Sequence, residues 1–440
     1  MGSDYAFGNY LYDLRRKAAL TQAELAEKLG ITDKAVSKWE NGRAKPGTQM
    51  LRKLAALYHI SVEELLTRRE ETEIMEITKI VLTGGPCAGK TTAMGRIHEH
   101  FENRGYRVLF IPETATELIT GGVSPTTCGS VLDFQVELAK LQLAKEAAFE
   151  RAARTMKAEK ILIVCDRGIM DNKAYLEPLD YASWLTKMES SEVDLRDRYD
   201  AVFHLVTAAK GAEEAYTLSN NAARSETPEE AVVLDDRLIA AWTGHPHLRV
   251  IDNSTDFEDK LRRLLAEIDR FLGEPEPYEI ERKYLIDYPD TYWLEHFPSC
   301  RKVEIVQTYL NAPEGGERRV RQRGADGSYV YFETVKKPAG ADGLKRVEVE
   351  RRLSEREYLD CLMDADMSRH PIRKTRYCLT WENQYFEIDV YPFWKDKAIL
   401  EIELPSEDAA VHFPKEIRIQ KEVTADLAYK NASLAREIPE

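Results

Sequence analysis

Residues 278–286 read YEIERKYLI. In a β-strand, residues two apart point to the same face, so Glu279, Glu281 and Lys283 would share one side and Ile280 the other. The device recurs downstream. Arg319, Arg321 and Arg323 alternate in RRVRQR, Arg346, Glu348 and Glu350 in KRVEVE, Lys374 and Arg376 in RKTRY, Glu387 and Asp389 in YFEIDVY, and Glu401 and Glu403 in ILEIEL; Lys336 follows YFETV. Val320, Val347, Val349, Ile388 and Ile402 fill the positions between. After Tyr278 the pattern therefore predicts mainly strands, with one helix near 354–366. Two arrangements satisfy it. Either the apolar face is the core and the charges meet water, or helices cover the apolar face and the charges line a lumen. In the second case acids and bases on separate strands balance one another, carboxylates suit Mg²⁺ or Mn²⁺, and arginines suit phosphate oxygens. Pattern alone leaves both open.

Upstream, residues 77–272 alternate strand-like and helix-like stretches: ITKIVLTGG, YRVLFIPE, KILIVCDRG, YDAVFHLVT and LRVIDNS, closed by the helix DFEDKLRRLLAEIDRFLG. Such alternation predicts a parallel sheet flanked by helices. KIVLTGGPCAGKTT contains Gly84-x-x-x-x-Gly89-Lys90-Thr91 between strand and helix, the context that marks a P-loop. Gly84, Gly85, Pro86, Cys87, Ala88 and Gly89 would wrap a nucleotide's phosphates with backbone N–H groups, Lys90 would neutralise them, and Thr91, followed by Thr92, would ligate Mg²⁺. Asp166, directly after a buried strand, is the second acid expected at that metal; as a structural residue it would cap a helix.

The first 68 residues are helical in pattern. LTQAELAEKLGITDKAVSKWENG (20–42) carries one apolar stripe at Leu25, Ala26 and Leu29 and a second at Val36 and Trp39, with Gly30 at the turn. These residues carry 11 Lys and Arg against 8 Asp and Glu, which leaves the remainder at −17 for a total of −14. A basic head on an acidic body implies that the head alone approaches a polyanionic duplex. Domains are expected at 1–70, 71–275 and 276–440, consistent with a length too great for one core. With 43% hydrophobic and 31% charged residues, a soluble protein is expected. There is no apolar run long enough for a membrane span, no signal-peptide order at the N-terminus, and no paired-cysteine framework, so a cytoplasmic protein is expected.

Three resemblances sharpen this reading. The head resembles the XRE, or Cro/repressor-like, helix-turn-helix family through PGTQMLRKLAALYHISVEELL. That implies double-stranded DNA as partner and a homodimer, with Thr32, Asp33, Lys34, Ser37 and Lys38 on the recognition helix and Gln22 and Arg43 at backbone phosphates. Asp33 and Glu40 run against phosphate binding. Residues 77–272 resemble the AAA-type kinase-like domain shared by nicotinamide-riboside kinase regulators and a TRP-channel translocation protein. The Asp166-Arg167 pair is similar to the DR motif of nucleoside kinases, which implies that Arg167 contacts the phosphoryl acceptor and that Glu113 is the general base. LSNNAARSETPEEA looks like a lid with Arg224 at the phosphates, Arg237 being a weaker candidate. Asn253 is expected at the base, and no motif separates ATP from GTP. His245 and His247 are expected to be loop residues, since nothing nearby completes a metal site.

The tail resembles the CYTH, or triphosphate tunnel, family through Glu279-x-Glu281-x-Lys283, the order of its charged strands and the closing VTADLAYKNASLA. This implies a mainly antiparallel β-barrel with the charges inside: Glu279, Glu281, Glu401 and Glu403 on metal, and Lys283, Arg319, Arg321, Arg323, Lys336, Lys374 and Arg376 on a phosphorylated or polyphosphorylated ligand. The chain is thus expected to be a DNA-binding regulator that senses nucleotide or phosphorylated ligand. Alternatives are an enzyme with kinase or triphosphatase activity and a phosphoinositide headgroup binder; the body's acidity opposes general attraction to anionic membranes.

Overall fold

The computed structural model describes residues 11–12, 14–15, 18, 20–40, 44–58, 76–215, 227–273, 280–312, 316–339, 345–406 and 408–438, with the side chains of 336–339 and 345–349 outside that description. The chain divides into two compact units, residues 1–76 with 157–160, and the rest.

In the first unit, Gln22–Leu29 (α1), Asp33–Glu40 (α2) and Thr48–Leu57 (α3) are helices. Thr21 and Glu24 form a reciprocal capping box at the start of α1, and Gly30 ends it at φ +71°, the left-handed turn that only glycine adopts freely. Leu25, Ala26, Leu29, Val36 and Trp39 make the core with Leu11, Leu54 and Ala55, as the two apolar stripes require. Arg15 and Glu40 form a buried pair, Nε to Oε1 at 2.6 Å.

The second unit holds two sheets. The first comprises Glu76–Gly84 (β1), Tyr106–Ile111 (β2), Lys160–Asp166 (β3), Ala201–Leu205 (β4) and Leu248–Ile251 (β5), in the order β2-β3-β1-β4-β5. β4 pairs in parallel with both β1 and β5. Its helices are Lys90–Glu102 (α4), Thr114–Thr120 (α5), Val131–Ala153 (α6), Pro178–Lys187 (α7), Glu192–Arg196 (α8), Pro228–Trp242 (α9) and Phe257–Phe271 (α10). Ile80, Leu82, Leu162, Val164, Phe203 and Leu205 pack with α4 and α10 into one core. Burial on both faces explains why these strands read as continuous apolar runs.

The second sheet has nine strands: Glu281–Asp287 (β6), Cys300–Leu310 (β7), Glu317–Ala325 (β8), Ser328–Ala339 (β9), Lys345–Leu353 (β10), Ile372–Trp381 (β11), Gln384–Val390 (β12), Lys397–Glu403 (β13) and Ile419–Glu422 (β14), ordered β10-β9-β8-β7-β11-β12-β13-β6-β14. All its pairings are antiparallel. Among the described residues β10 and β14 do not pair, so the expected barrel is an open ladder rather than a closed ring. It is nonetheless strongly curled, since Leu285 on β6 and Tyr309 on β7, four places apart in the order, share one cluster with Ile372, Tyr391 and Ile399.

Register decides which face curls inward. Glu401 lies opposite Lys283, Glu387 opposite Glu401, Arg376 opposite Asp389 and Arg319 opposite Tyr309, and directly opposed residues share a face. The inner face is therefore the charged one. Tyr284, Ile286, Tyr377, Phe386, Ile388, Leu400 and Ile402 occupy the outer face, where Thr291–His296 (α11) and residues 409–419 cover them. Glu355–Leu362 (α12) likewise covers Leu310 and Val320. One end of the inner face is apolar and packs against Val423, Tyr429 and Leu434, the last on the short helix Asn431–Leu434 (α13).

At its opposite end the inner face meets the P-loop domain. Arg352 on β10 donates to Asp197 O at 3.0 Å, and Arg323 on β8 pairs with Asp197 Oδ2 at 2.6 Å and reaches Gly244 O. Thr380 Oγ1 on β11 lies 3.1 Å from Thr243 Oγ1, Tyr385 on β12 donates to His245 O at 2.9 Å, and Glu403 on β13 pairs with Arg249. No helix among the described residues is long and apolar enough to cross a membrane.

Candidate phosphate-binding sites

The apolar strand β1 delivers Gly84 to the rim of the parallel sheet. Gly84 has φ +149°, and a Cβ there would sit 2.1 Å from Leu205 O, so the neighbouring strand excludes any side chain. Gly89 has φ +91°, and a Cβ there would fall 2.5 Å from the Phe257 ring. Helix α4 begins at Lys90 with no side chain capping its first N–H groups, which leaves them for an anion. Lys90 is buried and folds back to donate to Gly84 O at 3.2 Å, while Thr91 and Thr92 are exposed. Together these residues form the cradle that the motif predicts.

Asp235 of α9 braces this loop. Its Oδ1 accepts from Gly85 N–H at 2.9 Å and Thr207 N–H at 3.1 Å and lies 2.9 Å from His204 Nε2, while Lys210 pairs with Oδ2 at 3.0 Å. Sequence patterning gives no warning of Asp235, because Gly85 lies 150 positions away. Lys260 was missed for the same reason; it ties Ala88 O and Val206 O to Asn253 Oδ1.

Beside the cradle lies a cavity of about 260 Å³ whose walls include Pro86, Glu113, Phe134, Gln142, Asp166 and Arg167. Arg167 Nε donates to Glu113 Oε1 at 2.7 Å. Burial alone would raise the Glu113 carboxyl, but Arg167 and Lys90 outweigh it and hold it at about 2. Glu113 is thus held as an ionised acceptor facing Arg167. Asp166 is shifted the other way, because burial outweighs the attraction of Lys90. Its Oδ1 is buried and has no hydrogen-bond partner among the described residues. A carboxylate oxygen left open beside a phosphate cradle fits a hard cation.

The structure gives partners to Asn253, Arg237 and His245. Asn253 was expected at the base, but its Nδ2 donates to Thr207 O at 2.8 Å and Lys210 O at 2.7 Å and its Oδ1 accepts from Lys260, so its amide pins the loops after β4 and β5. Arg237 Nη1 lies 3.5 Å from Glu177 Oε1. Burial pushes His245 and His247 down to about 3 and about 4, and His245 Nε2 lies 2.9 Å from Tyr199 O. Arg224 lies outside the described residues.

In the curled sheet the acids and bases of the inner face are paired with one another. Lys283 Nζ lies 3.1 Å from Glu281 and contacts Glu401, whose Oε2 is 3.0 Å from Arg376 Nη2. Arg376 holds both oxygens of Asp389 at 2.7 Å and also contacts Glu387, and Lys374 contacts Asp389. Lys374, Arg376 and Glu401 are only 6–8% exposed and Asp389 is fully buried. Burial raises Glu281 and, with Glu401 alongside, keeps it above the ordinary range, whereas Asp389 is held well below it by Arg376 and Lys374 despite its burial. On the facing strands Arg321 Nη2 donates to Glu350 Oε2 at 2.6 Å, and Arg319 stands in the same row, 4.0 Å from Glu317.

Two of the expected ligands are diverted. Arg323 belongs to the arginine row but is 2% exposed and committed to Asp197 and Gly244 O of the P-loop domain. Glu403, expected on metal with Glu401, pairs instead with Arg249. Glu279 and the side chain of Lys336 lie outside the described residues. Among the described residues no three His, Cys, Asp or Glu side chains converge as a metal site; Glu281 and Glu401 share the Lys283 ammonium.

In the helix-turn-helix unit, Thr32, just before α2, and Asp33, Lys34 and Lys38 on it are exposed, and Ser37 is half-buried. Thr32 Oγ1 and Asp33 Oδ1 also accept backbone N–H groups of the first turn, from Ala35 at 3.3 Å and Lys34 at 2.8 Å. Gln22, expected at a phosphate, donates to Glu40 Oε2 at 2.7 Å. Arg43 lies outside the described residues.

Comparison with known proteins follows the same division. The helix-turn-helix family profile matches residues 11–65, and the AAA domain profile matches residues 79–260. The inorganic triphosphatase of Nitrosomonas europaea is 36% identical over 165 residues, 37% of this chain and 99% of that protein. The HTH-type transcriptional activator BcrR of Enterococcus faecalis is 34% identical over 70 residues, 16% of this chain and 34% of that protein. The HTH-type transcriptional regulator ImmR of Bacillus subtilis is 36% identical over 78 residues, 17% of this chain and 61% of that protein. The chain thus spans less than two thirds of either regulator.

Proposed function

The chain belongs, through its C-terminal region, to the inorganic triphosphatase family, and from that premise we propose that it is a DNA-binding transcriptional regulator whose body carries two phosphate sites. The P-loop cradle takes ATP or GTP, and the inner face of the curled sheet takes a polyphosphate. The observation that carries the second assignment is the buried network of Lys283, Lys374, Arg376, Glu401 and Asp389. Buried ammonium and guanidinium groups facing a common interior are costly to maintain, and they match the oxygens of a condensed phosphate.

In the cradle, Asp166 and Thr91 would hold Mg²⁺, which supplies charge neutralisation at the phosphates. On the inner face, Glu281 and Glu401 would hold Mg²⁺ or Mn²⁺ once a polyphosphate draws Lys283 and Arg376 away from them. Arg319 and Arg321 face the same space and would receive phosphate oxygens. The exposed face of α2, with Lys34 and Lys38, would meet duplex DNA as one half of a homodimer, in the cytoplasm. Domains of 1–70, 71–275 and 276–440 accommodate these roles.

A second reading, that the body is itself a catalyst, is favoured by the cavity walled by Glu113 and Arg167 beside the cradle. There Glu113 would accept the proton of an acceptor hydroxyl, and Arg167 would hold that acceptor in line.

Calorimetry with tripolyphosphate and Mg²⁺, followed by footprinting with and without that ligand, tests the proposal. Tripolyphosphate is expected to bind, to lose its binding in Arg376→Met, and to change the occupancy of a DNA site. Binding that persists unchanged in Arg376→Met removes the inner-face assignment. Multiple turnover of tripolyphosphate, or of a hydroxyl acceptor with ATP, without an effect on DNA moves the weight to the second reading.

A further inference from the structure

The inner-face row of the curled sheet ends on the P-loop domain at five strands, through Arg352, Arg323, Thr380, Tyr385 and Glu403. Two of them directly follow charged ligand candidates in their rows. Arg323 is two residues from Arg321, and Glu403 is two from Glu401. What closes that end of the interior is the segment 243–249, with Asp197 beside it.

That segment fits the interior closely. Gly244 has φ +102°, and a Cβ there would sit 2.7 Å from Arg196 Nη1 and 3.1 Å from Arg301 Cβ, so the segment has room only for glycine at its tip. Arg323 and Asp197 are almost fully buried where they meet. A contact of this kind is an obligate packing surface rather than a loose domain contact.

The same segment is the direct continuation of α9, and α9 braces the cradle. Asp235, midway along it, accepts the Gly85 N–H. Trp242, its last residue, is fully buried and donates to Asp171 Oδ1 at 2.6 Å, a residue of the cavity wall that also accepts from Thr83 Oγ1 at 2.8 Å. A 15-residue helix is a stiff rod of about 22 Å. A change in the loop around Gly85 is therefore carried by one rigid element to the wall of the other site.

We propose that the P-loop domain builds the end wall of the polyphosphate interior and that α9 couples this wall to the cradle, so that nucleotide in the cradle alters the affinity of the curled sheet for polyphosphate. The inference rests on the polyphosphate reading given above. By linkage the effect is reciprocal: polyphosphate alters nucleotide affinity by the same factor.

The test is calorimetry on the full chain with tripolyphosphate and Mg²⁺, in the absence and presence of saturating ADP or GDP, whose own binding is measured first. In the unaltered protein one nucleotide is expected to change the tripolyphosphate Kd by about fivefold or more. The double variant Thr380→Val/Tyr385→Phe removes two wall contacts and no charged group of the interior. It is expected to bring that factor below about twofold while each ligand alone binds as before. Gly244→Ala is expected to do the same by pushing the wall outward. Tripolyphosphate that binds equally well with and without a bound nucleotide overturns the coupling. A coupling factor retained in full by both variants overturns the wall as its route. Absence of tripolyphosphate binding in the full chain overturns the polyphosphate reading itself, and the coupling with it.

Discussion

On the proposed function an anion in the cradle would be met by backbone: the turn from Gly84 to Gly89 and the uncapped first turn of α4, with Lys90 laid across it. In the curled sheet it would be met by side chains: Lys283, Lys374 and Arg376, each already paired with Glu281, Glu401, Glu387 or Asp389. The difference follows from what each kind of group requires when no anion is bound. Backbone N–H groups at a helix start are neutral dipoles and need no counter-charge. A buried guanidinium does need one, since an uncompensated charge in the interior costs several kcal/mol. Binding at the cradle adds contacts, whereas binding at the curled sheet exchanges one set of partners for another. The acids of the inner face therefore serve as counter-ions to these cations, and under the proposed function they would also hold a cation once a ligand is bound.

This contrast is open to direct attack, most strongly on the side-chain site. Arg376→Met leaves Asp389, Glu387 and Glu401 without their shared guanidinium and is expected to cost about 3–5 kcal/mol of stability, read as a lower denaturant midpoint. A loss below about 1 kcal/mol would mean that these acids are not charge-compensated as drawn. At the cradle the balance should reverse. Lys90→Ala is expected to weaken nucleotide binding by about 100-fold, roughly 3 kcal/mol, with little change in melting temperature; calorimetry beside a thermal melt separates the two.

Smaller again is Asn253→Ala. It removes three hydrogen bonds that pin loops behind the cradle and should cost about 1–2 kcal/mol of stability. The ratio of ATP to GTP affinity is expected to stay unchanged, and a changed ratio would restore Asn253 to the base. Last comes a test that moves nothing at neutral pH. Glu113, Glu192 and Glu350 are each held at about 2, against an ordinary 4.5, by cations that outweigh their burial. A carboxyl depressed in the folded state contributes stability that is complete above its unfolded value and is lost as pH falls towards the folded one. Urea midpoints should therefore drop progressively between pH 4.5 and about 2. A flat profile across that window would contradict the ion pairing of these groups.

Several features were legible before any coordinates. The glycines of the cradle, Gly30 at the helical turn, and the stripes of Leu25, Ala26, Leu29, Val36 and Trp39 are local signals, and each sits where spacing places it. The five strands of the parallel sheet were legible as well, because burial on both faces writes an unbroken apolar run. The alternating charges of the last domain were visible but undirected, since period two marks a face without saying whether water or protein meets it. Four residues were read by type and turned out to be engaged elsewhere. Arg323 holds Asp197, Glu403 holds Arg249, Asn253 ties two loops, and Gln22 donates to Glu40. Apart from Lys260 beside Asn253, the competing partners lie at least 18 positions away, beyond the reach of spacing.

By itself the amino-acid order determined that there is a glycine-rich phosphate cradle, a helix-turn-helix and a set of strands with all their charges on one face. These depend on neighbours a few residues apart and on the φ, cap and period preferences those neighbours share. Only the tertiary structure decided that the charged face curls inward, that Arg323 and Glu403 turn to another domain, and that one helix runs from the loop at Gly85 to the segment that meets the curled sheet. Those outcomes depend on which surfaces α11, α12 and segment 243–249 cover, and burial of that kind is chosen by the whole chain at once.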